Sequence, residues 1–240
     1  EFRSLQLEII ESVLKGQDTL AILPTGGGKS ICFQVPALIK EGICIVVSPL
    51  IALMKDQVDA LNSKGIKALC ATSEFDAKQI DDIFDRAIYD KEIKFLYLSP
   101  ERLKTDLAKA RIAQMNVSLL AVDEAHCISE WGYDFRPSYL EIAEIKHLIP
   151  STPTIALTAS ATPLVVKDIQ EKLLFKKENL FQKSFKRDNL SYYIDWDEDK
   201  LGKIERIAKK QKGSGIVYMR SRKGTERISR ELKKRGLSID

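Results

Sequence analysis

A glycine-rich stretch near the N-terminus has the residue types and spacing of a phosphate-binding loop. The apolar run 20–23 predicts a buried strand, three consecutive glycines follow at 26–28, and Lys29 and Ser30 open a predicted helix. Glycines let backbone N–H groups converge on phosphate oxygens, and a helix N-terminus adds the positive end of its dipole. We therefore expect Lys29 to reach the β- and γ-phosphates of a nucleotide and the Ser30 hydroxyl to contact Mg²⁺. The residues assigned to this loop are Thr25, Gly26, Gly27, Gly28, Lys29 and Ser30.

The loop departs from the pattern G-x-x-x-x-G-K-[ST] at one position, where Leu23 replaces the first glycine. A glycine-rich turn that merely joins a strand to a helix would look similar. Three consecutive glycines destabilise a fold unless their backbone is needed, which favours the phosphate-binding interpretation.

An acidic pair follows a second apolar strand about a hundred residues later. The sequence 119–126 runs Leu-Leu-Ala-Val-Asp-Glu-Ala-His, so Asp123 and Glu124 lie at the carboxyl end of a predicted strand. Asp123 would complete the metal shell begun by Ser30, and Glu124 would polarise the attacking water. Acidic residues also favour the first turn of a helix, which is the alternative interpretation of the pair alone. Together with the phosphate loop, the pair predicts a nucleoside triphosphatase.

The composition is that of an ordinary soluble globular protein and excludes several classes. Of the 240 residues, 44% are hydrophobic and 30% are charged, and no apolar run approaches the roughly 20 residues of a membrane span. The four cysteines, at 32, 44, 70 and 127, contain no C-x-x-C pair, so we expect no zinc site within the chain. We expect a reduced compartment: the cytoplasm, near the nucleoid, in a bacterium, or the nucleus in a eukaryote.

Positive charge is concentrated near the C-terminus. Residues 1–183 hold 22 Lys and Arg against 25 Asp and Glu, whereas residues 184–240 hold 16 against 9. The basic stretch could face nucleic acid, although a solvated lysine-rich helix surface fits the charge equally well.

Predicted strands alternate with predicted helices along residues 1–183, which indicates an α/β domain with a parallel sheet covered by helices on both faces. Ligands of such a sheet lie at the carboxyl ends of its strands. The polar, basic stretch 184–189 predicts a domain boundary, with a second domain at 184–240. In that domain the pattern predicts strands at 192–196 and 215–219. About 55 residues are too few for a comfortable α/β core, so we expect the second domain to be truncated.

Several further segments make the chain resemble the RecQ family of superfamily 2 DNA helicases over nearly its whole length. The most specific is the loop Cys-Ile-Ser-Glu-Trp-Gly-Tyr-Asp-Phe-Arg-Pro-Ser-Tyr at 127–139, where the family often has histidine in place of Tyr133. The family also usually has an apolar residue at the position of Leu23. The other matching segments are Phe-Arg-Ser-Leu-Gln at 2–6, the phosphate loop 24–30, 47–57, Tyr-Leu-Ser-Pro-Glu-Arg at 97–102, 123–126, 156–163 and 216–223.

The resemblance implies a fold and a set of nucleotide-site residues. It implies a first RecA-like P-loop NTPase domain at 1–183 and the N-terminal part of a second at 184–240. Arg3 and Gln6 would recognise the adenine of ATP. His126 would hydrogen-bond to the hydroxyl pair of Ser160 and Thr162, the motif that links hydrolysis to strand separation. The implied catalytic residues are Lys29, Asp123, Glu124 and His126.

The resemblance also implies a path for DNA. Trp131, Phe135 and Arg136 form an aromatic-rich loop whose rings would stack on unpaired bases, although such rings can equally pin a loop to the core. Strand-end residues would contact the DNA backbone without reading its sequence. The remaining DNA-binding residues implied are Ser48, Pro49, Leu50, Gln57, Ser99, Pro100, Arg220 and Ser221.

The implied activity is ATP-dependent 3′-to-5′ translocation on DNA and strand separation, in DNA repair and recombination. The expected partners are single-stranded DNA and duplex junctions, with no membrane, and the expected cofactors are ATP and Mg²⁺. Hydrolysis by this stretch alone should be slow, because the arginine of a second RecA-like lobe is missing from it. Two alternatives stay open: an RNA helicase of the DEAH/DEAD type, and a nucleic-acid-binding module without hydrolysis.

Overall fold

The computed structural model describes residues 2–3, 5–24, 26–184, 189–211 and 213–239. Contacts between residues divide the chain into two compact units, Glu1–Phe185 and Lys186–Asp240. Thr25, one of the predicted phosphate-loop residues, lies outside the described residues, as does most of the predicted boundary stretch 184–189. Within the described ranges, no helix is long and apolar enough to cross a membrane.

The first unit is built on a seven-stranded sheet whose strand pairs are all parallel. The strands are β1 (Thr19–Ile22), β2 (Ile43–Val47), β3 (Ala68–Ala71), β4 (Phe95–Leu98), β5 (Val117–Val122), β6 (Thr154–Thr158) and β7 (Leu180–Gln182). Their order in the sheet is β3-β4-β2-β5-β6-β1-β7. The sequence predicts strands at 19–23, 43–48, 68–72, 94–98, 118–122 and 154–157, which match β1 to β6 to within one residue at each end, whereas β7 was not predicted.

Eight helices accompany these strands in the described part of the first unit, and all but the four-residue helix Pro100–Leu103 follow the predicted pattern. They are α1 (Gln6–Leu14), α2 (Lys29–Ile39), α3 (Ile51–Asn62), α4 (Ala77–Tyr89), α5 (Pro100–Leu103), α6 (Asp106–Ile112), α7 (Glu141–Leu148) and α8 (Pro163–Lys172). Two 3₁₀ turns, Ala125–Ile128 and Pro137–Leu140, interrupt the long connection between β5 and α7.

Helices cover both faces of the sheet, as predicted. All five residues of β2 are buried, which is typical of a parallel strand with a core on each side. Cys44 and Val46 belong to the core that α1, α2 and α3 cover, whereas Ile43, Ile45 and Val47 belong to the core beneath α4, α6, α7 and α8. The sheet is therefore the middle layer of three.

Because the strands are parallel, their carboxyl ends meet at one edge. The phosphate loop follows β1, the acidic pair follows β5, and β6 lies between these two strands in the sheet. Ser48 and Ser99 follow β2 and β4 on the other side of β5. The topology thus brings segments far apart in sequence to one end of the sheet, where ligands of such folds bind.

The second unit contains α9 (Lys200–Lys210) and α10 (Arg222–Lys234) but no strand among its described residues. The strands predicted at 192–196 and 215–219 are therefore wrong. Both segments are exposed, with Ile194 and Tyr218 almost fully accessible. A β-prone segment becomes a strand only when a neighbour completes its hydrogen-bond ladder, and the described part of this unit offers none. An ion pair between Glu205 and Arg235 (2.8 Å) joins the two helices.

Candidate active site

The phosphate loop has the backbone geometry that its glycines predict. Gly28 adopts φ 77° and ψ 39°, a left-handed conformation that strains other residues, and it is the residue before α2. A Cβ on Gly27 would lie 2.7 Å from the carbonyl oxygen of Pro24. No described side chain caps α2. The first backbone N–H groups of this helix, which lie at the loop, therefore have no side-chain acceptor. The loop is therefore suited to bind an anion at the start of α2.

Arg3 and Gln6, at the start of α1, hydrogen-bond to this loop. The Gln6 amide donates to the carbonyl oxygens of Gly27 (3.2 Å) and Gly28 (3.1 Å). The Arg3 backbone N–H donates to Gln6 Oε1 (2.7 Å), and the Arg3 guanidinium donates to the carbonyl oxygen of Gly26. The two residues predicted to recognise adenine thus touch the loop directly.

A cavity of about 710 Å³ opens between α1, the phosphate loop and the acidic pair, which is large enough for a nucleotide. Gln57, predicted to contact DNA, lines this cavity and accepts a hydrogen bond from the Tyr97 hydroxyl (3.1 Å). The residues lining the cavity are Phe2, Arg3, Gln6, Gly26, Gly28, Lys29, Ser30, Ile31, Phe33, Leu53, Gln57, Asp123 and Glu124.

The acidic pair meets Lys29 at the carboxyl edge of the sheet. Lys29 Nζ lies 3.3 Å from Glu124 Oε1. Asp123 is almost fully buried, and its pKa is raised, chiefly by burial and then by the neighbouring Glu124 carboxylate, against the opposing effect of Lys29. Glu124 itself has φ 46° and ψ 46°, an uncommon conformation for a residue with a side chain. Two carboxylates against one ammonium group leave an excess of negative charge that favours a bound cation.

His126 occupies a buried position beside this pair. Its Nδ1 lies 2.9 Å from the Thr158 hydroxyl and 3.3 Å from Glu124 Oε2. Burial lowers the pKa of His126, which keeps the ring neutral at pH 7. The prediction that His126 bonds to the hydroxyls of Ser160 or Thr162 is not what the structure shows. Thr158, at the end of β6, reaches the ring.

Ser160 and Thr162, the two predicted partners of His126, make other hydrogen bonds because of their positions in the chain. Thr162 precedes α8, and its hydroxyl accepts the backbone N–H of Val165 (3.4 Å) as a helix cap. Ser160 meets the Thr158 hydroxyl only through its backbone, since Thr158 donates to the Ser160 carbonyl oxygen (3.2 Å). His126 is thus linked to this segment through Thr158.

The aromatic-rich loop is fastened to the acidic pair at one end. The buried Tyr139 hydroxyl donates to the carbonyl oxygen of Asp123 (2.9 Å). Tyr133 stacks on His126 with ring centroids 4.5 Å apart and an angle of 22° between the planes. Sequence reasoning did not identify Tyr139 or Tyr133 as site residues, because neither contact follows from spacing along the chain.

The predicted DNA-binding side chains of this loop differ in exposure. Trp131 is 68% exposed, as a stacking platform requires. Phe135 is partly covered by Lys172, whose Nζ lies 5.7 Å from the ring centre. Arg136 pairs with Asp134 (3.1 Å) and donates to the carbonyl oxygen of Pro49 (3.3 Å), which ties the loop to the segment after β2.

The other predicted DNA-binding residues differ in burial and in the hydrogen bonds that they make. Leu50 is half exposed, whereas Ser48 is buried. Ser99, with Pro100 after it, begins α5 and accepts the backbone N–H of Arg102 (3.4 Å). In the second unit, Arg220 is exposed and Ser221 caps α10 by accepting the backbone N–H of Gly224 (3.1 Å).

Comparison with known proteins identifies the class. Residues 3–169 match the family model described as DEAD/DEAH box helicase, so the chain belongs to that family. It is similar to the "ATP-dependent DNA helicase RecQ" of Haemophilus influenzae, with 41% identity over 99% of the chain and 38% of that protein. It is also similar to the protein of the same name from Bacillus subtilis, with 46% identity over 98% of the chain and 40% of that protein.

The predicted resemblance to RecQ helicases is thereby confirmed, and the chain spans about two fifths of the length of these relatives. Among solved structures, the DUF1998 helicase MrfA superposes with a TM-score of 0.74 at 18% identity, covering 98% of the chain and 39% of that structure. That likeness supports the predicted RecA-like α/β fold.

Proposed function

We propose that the chain is the ATP-binding part of a RecQ-type DNA helicase, in which ATP hydrolysis drives 3′-to-5′ translocation and strand separation during DNA repair and recombination. The observation that carries the proposal is the convergence of Lys29, Asp123 and Glu124 on one cavity, with the aromatic-rich loop bonded to Asp123 through Tyr139. The names of the similar proteins support the choice of DNA and ATP as substrates.

In this proposal, residues 1–183 are the first RecA-like domain and residues 184–240 begin a second. The nucleotide occupies the cavity beside the phosphate loop. The loop N–H groups and Lys29 hold the phosphates, and Arg3 and Gln6 position the adenine end.

The donor set at the cavity fits Mg²⁺. The Ser30 hydroxyl and the Asp123 carboxylate line the same cavity, and hydroxyl and carboxylate oxygens are ligands that Mg²⁺ prefers. A Mg²⁺ ion held there would supply positive charge to the phosphate oxygens and would offset the excess negative charge of Asp123 and Glu124.

Glu124 is proposed as the base that accepts a proton from the attacking water. Its carboxylate is ion-paired with Lys29 in this structure. When Lys29 turns to the phosphates, that carboxylate is released for the water, and the His126 Nδ1–H remains within 3.3 Å of its other oxygen. Binding of the nucleotide thus prepares the base, and Thr158 keeps the ring of His126 in place.

DNA is proposed to act on this site through the aromatic-rich loop. A base stacked on the exposed Trp131 would shift the loop, and the loop contacts the acidic pair through Tyr139 and His126 through Tyr133. Leu50, Arg136 and the residues that follow β2 and β4 would guide the DNA backbone along the carboxyl edge of the sheet in the first unit.

Strand separation tests the proposal on the whole gene product that contains this chain. Matched DNA and RNA duplexes, each with a 3′ or a 5′ single-stranded tail, are incubated with ATP and Mg²⁺. We expect separation of the DNA duplex with the 3′ tail. Separation of the RNA duplexes alone would instead support an RNA helicase, and a requirement for the 5′ tail would contradict the proposed direction.

A further inference from the structure

Three side chains of the types that ligate metals meet between the acidic pair and the aromatic-rich loop. One ligand atom each of His126, Cys127 and Asp134 lies within 4.8 Å of the other two. The sulfur is 3.8 Å from the ring nitrogen and 3.7 Å from the carboxylate oxygen. His126 and Cys127 are buried, whereas the Asp134 side chain is 46% exposed, which leaves an entry path from solvent.

Nδ1 of His126 is occupied by a hydrogen bond, which leaves Nε2 as the ring nitrogen that faces the other two side chains of the cluster. The Thr158 hydroxyl donates to the carbonyl oxygen of Ser160 (3.2 Å), and its oxygen is then an acceptor for Nδ1–H of His126 (2.9 Å). In that tautomer Nε2 carries the lone pair, and it lies 3.8 Å from Cys127 Sγ. Histidines that bind metals are usually held in this way, with the second ring nitrogen donating to a fixed acceptor.

The Cys127 thiol cannot satisfy both of its neighbours. It carries one proton, which it donates to Asp134 Oδ2 (3.7 Å), so in this tautomer it cannot also donate to His126 Nε2, 3.8 Å from the sulfur. A cation in place of that proton would contact all three groups. Arg136 also pairs with Asp134 Oδ2, at 3.1 Å, so Asp134 would be shared between the guanidinium and the cation.

We propose that His126, Cys127 and Asp134 form a zinc-binding site, with water as the fourth ligand. Imidazole, thiolate and carboxylate are the ligands that zinc takes in proteins, and ligand atoms in a tetrahedral zinc site lie about 3.3–3.8 Å apart. Two of the pairs are already near this spacing. On binding, the S–H bond of Cys127 breaks, an S–Zn bond forms and the proton leaves to solvent.

Zinc at this position would join the segment after the acidic pair to the aromatic-rich loop. The expectation of no zinc site relied on the absence of a C-x-x-C pair. The cluster has a different pattern: adjacent histidine and cysteine on the 3₁₀ turn Ala125–Ile128, and an aspartate seven residues after the cysteine. The proposal depends on these side chains and not on the proposed helicase activity.

Titration of the 240-residue chain with Co²⁺ tests the site, because a cobalt–thiolate bond gives an intense charge-transfer absorption in the near ultraviolet. We expect this band to saturate at one Co²⁺ per chain and to disappear when Zn²⁺ is added. Cys127→Ser should abolish it, whereas the control Cys70→Ser, at a partly exposed cysteine on β3, should leave it unchanged. Absence of the band, or its persistence in Cys127→Ser, would overturn the proposal.

If Cys127→Ser does not fold, a second variant, Asp134→Asn, tests the zinc site. Asp134→Asn changes a half-exposed side chain, and circular dichroism should show a folded chain. We expect its affinity for Co²⁺ to fall by about 10-fold or more, since even the loss of a group that only orients a ligand costs about this much. An unchanged affinity would show that Asp134 is not a ligand and would refute the three-residue site.

Discussion

The buried ion pair between Asp18 and Lys146 allows a direct test of the interactions that stabilise the packing of α7 against the sheet. Both side chains are about 5% exposed or less. Lys146 Nζ donates to Asp18 Oδ1 (2.9 Å), to the Thr154 hydroxyl (2.9 Å) and to the carbonyl oxygen of Thr152 (2.5 Å). Asp18 in turn accepts the backbone N–H of Thr154 (2.9 Å). The pair therefore joins α7 to the amino-terminal ends of β1 and β6.

Lys146→Met should lower the free energy of unfolding by about 3–5 kcal/mol, because it leaves the Asp18 carboxylate buried without its cation. A domain is typically stable by only about 5–15 kcal/mol, so this loss is large. The double variant Lys146→Met with Asp18→Asn removes both charges. It should be less destabilised than the sum of the two single variants, because neither charge is then left alone.

Urea unfolding followed by circular dichroism measures these changes. The matched control is Lys167→Met on α8, whose ion pair with Glu171 is exposed on both sides and should contribute about 0.5 kcal/mol or less. Nucleotide affinity of the folded Lys146→Met chain should be unchanged, since the pair lies at the opposite end of the strands from the phosphate loop. A loss below about 1 kcal/mol, or strict additivity in the double variant, would refute the assigned role.

Three further predictions concern the site. Lys29→Ala should abolish ATP hydrolysis by the whole gene product while circular dichroism shows a folded protein, and wild-type turnover would contradict the phosphate-loop assignment. Glu124→Gln should bind Mg-ATP but hydrolyse it about 10²-fold or more slowly, because an amide does not accept the proton of water; unchanged turnover would place the base elsewhere. Tyr139→Phe removes the hydrogen bond to Asp123 and should cost about 1–3 kcal/mol in urea unfolding, whereas an unaltered midpoint would show that this bond contributes nothing.

Elements with a strong local signal could be predicted from the sequence alone. The sequence predicts a helix at 77–89, and α4 has these bounds. Its capping box, in which Asp76 and Gln79 exchange side-chain and backbone hydrogen bonds, explains why it begins there. The uniformly apolar run of β2 likewise indicates a strand buried on both faces. The phosphate loop and the acidic pair each follow a predicted strand of a parallel sheet, so their position at one sheet edge could be predicted.

What could not be predicted depends on contacts between distant residues. The strand β7 is three residues long, with two of them exposed, and forms only because β1 offers its edge. The segments 192–196 and 215–219 have strand-like sequences without a ladder partner in the described part of their unit. The choice of Thr158 as partner of His126 follows from the register of β6 beside β5, which spacing along the chain does not reveal.

We propose that the aromatic-rich loop transmits DNA binding to the proposed site of ATP hydrolysis. The most direct test measures hydrolysis by the whole gene product with and without single-stranded DNA, for wild type, Trp131→Ala and the control Tyr89→Ala, which alters an exposed ring on α4. We expect Trp131→Ala to keep basal turnover and to lose the stimulation by DNA, while Tyr89→Ala behaves as wild type. Normal stimulation in Trp131→Ala, or loss of its basal turnover together with a lower melting temperature, would contradict the claim.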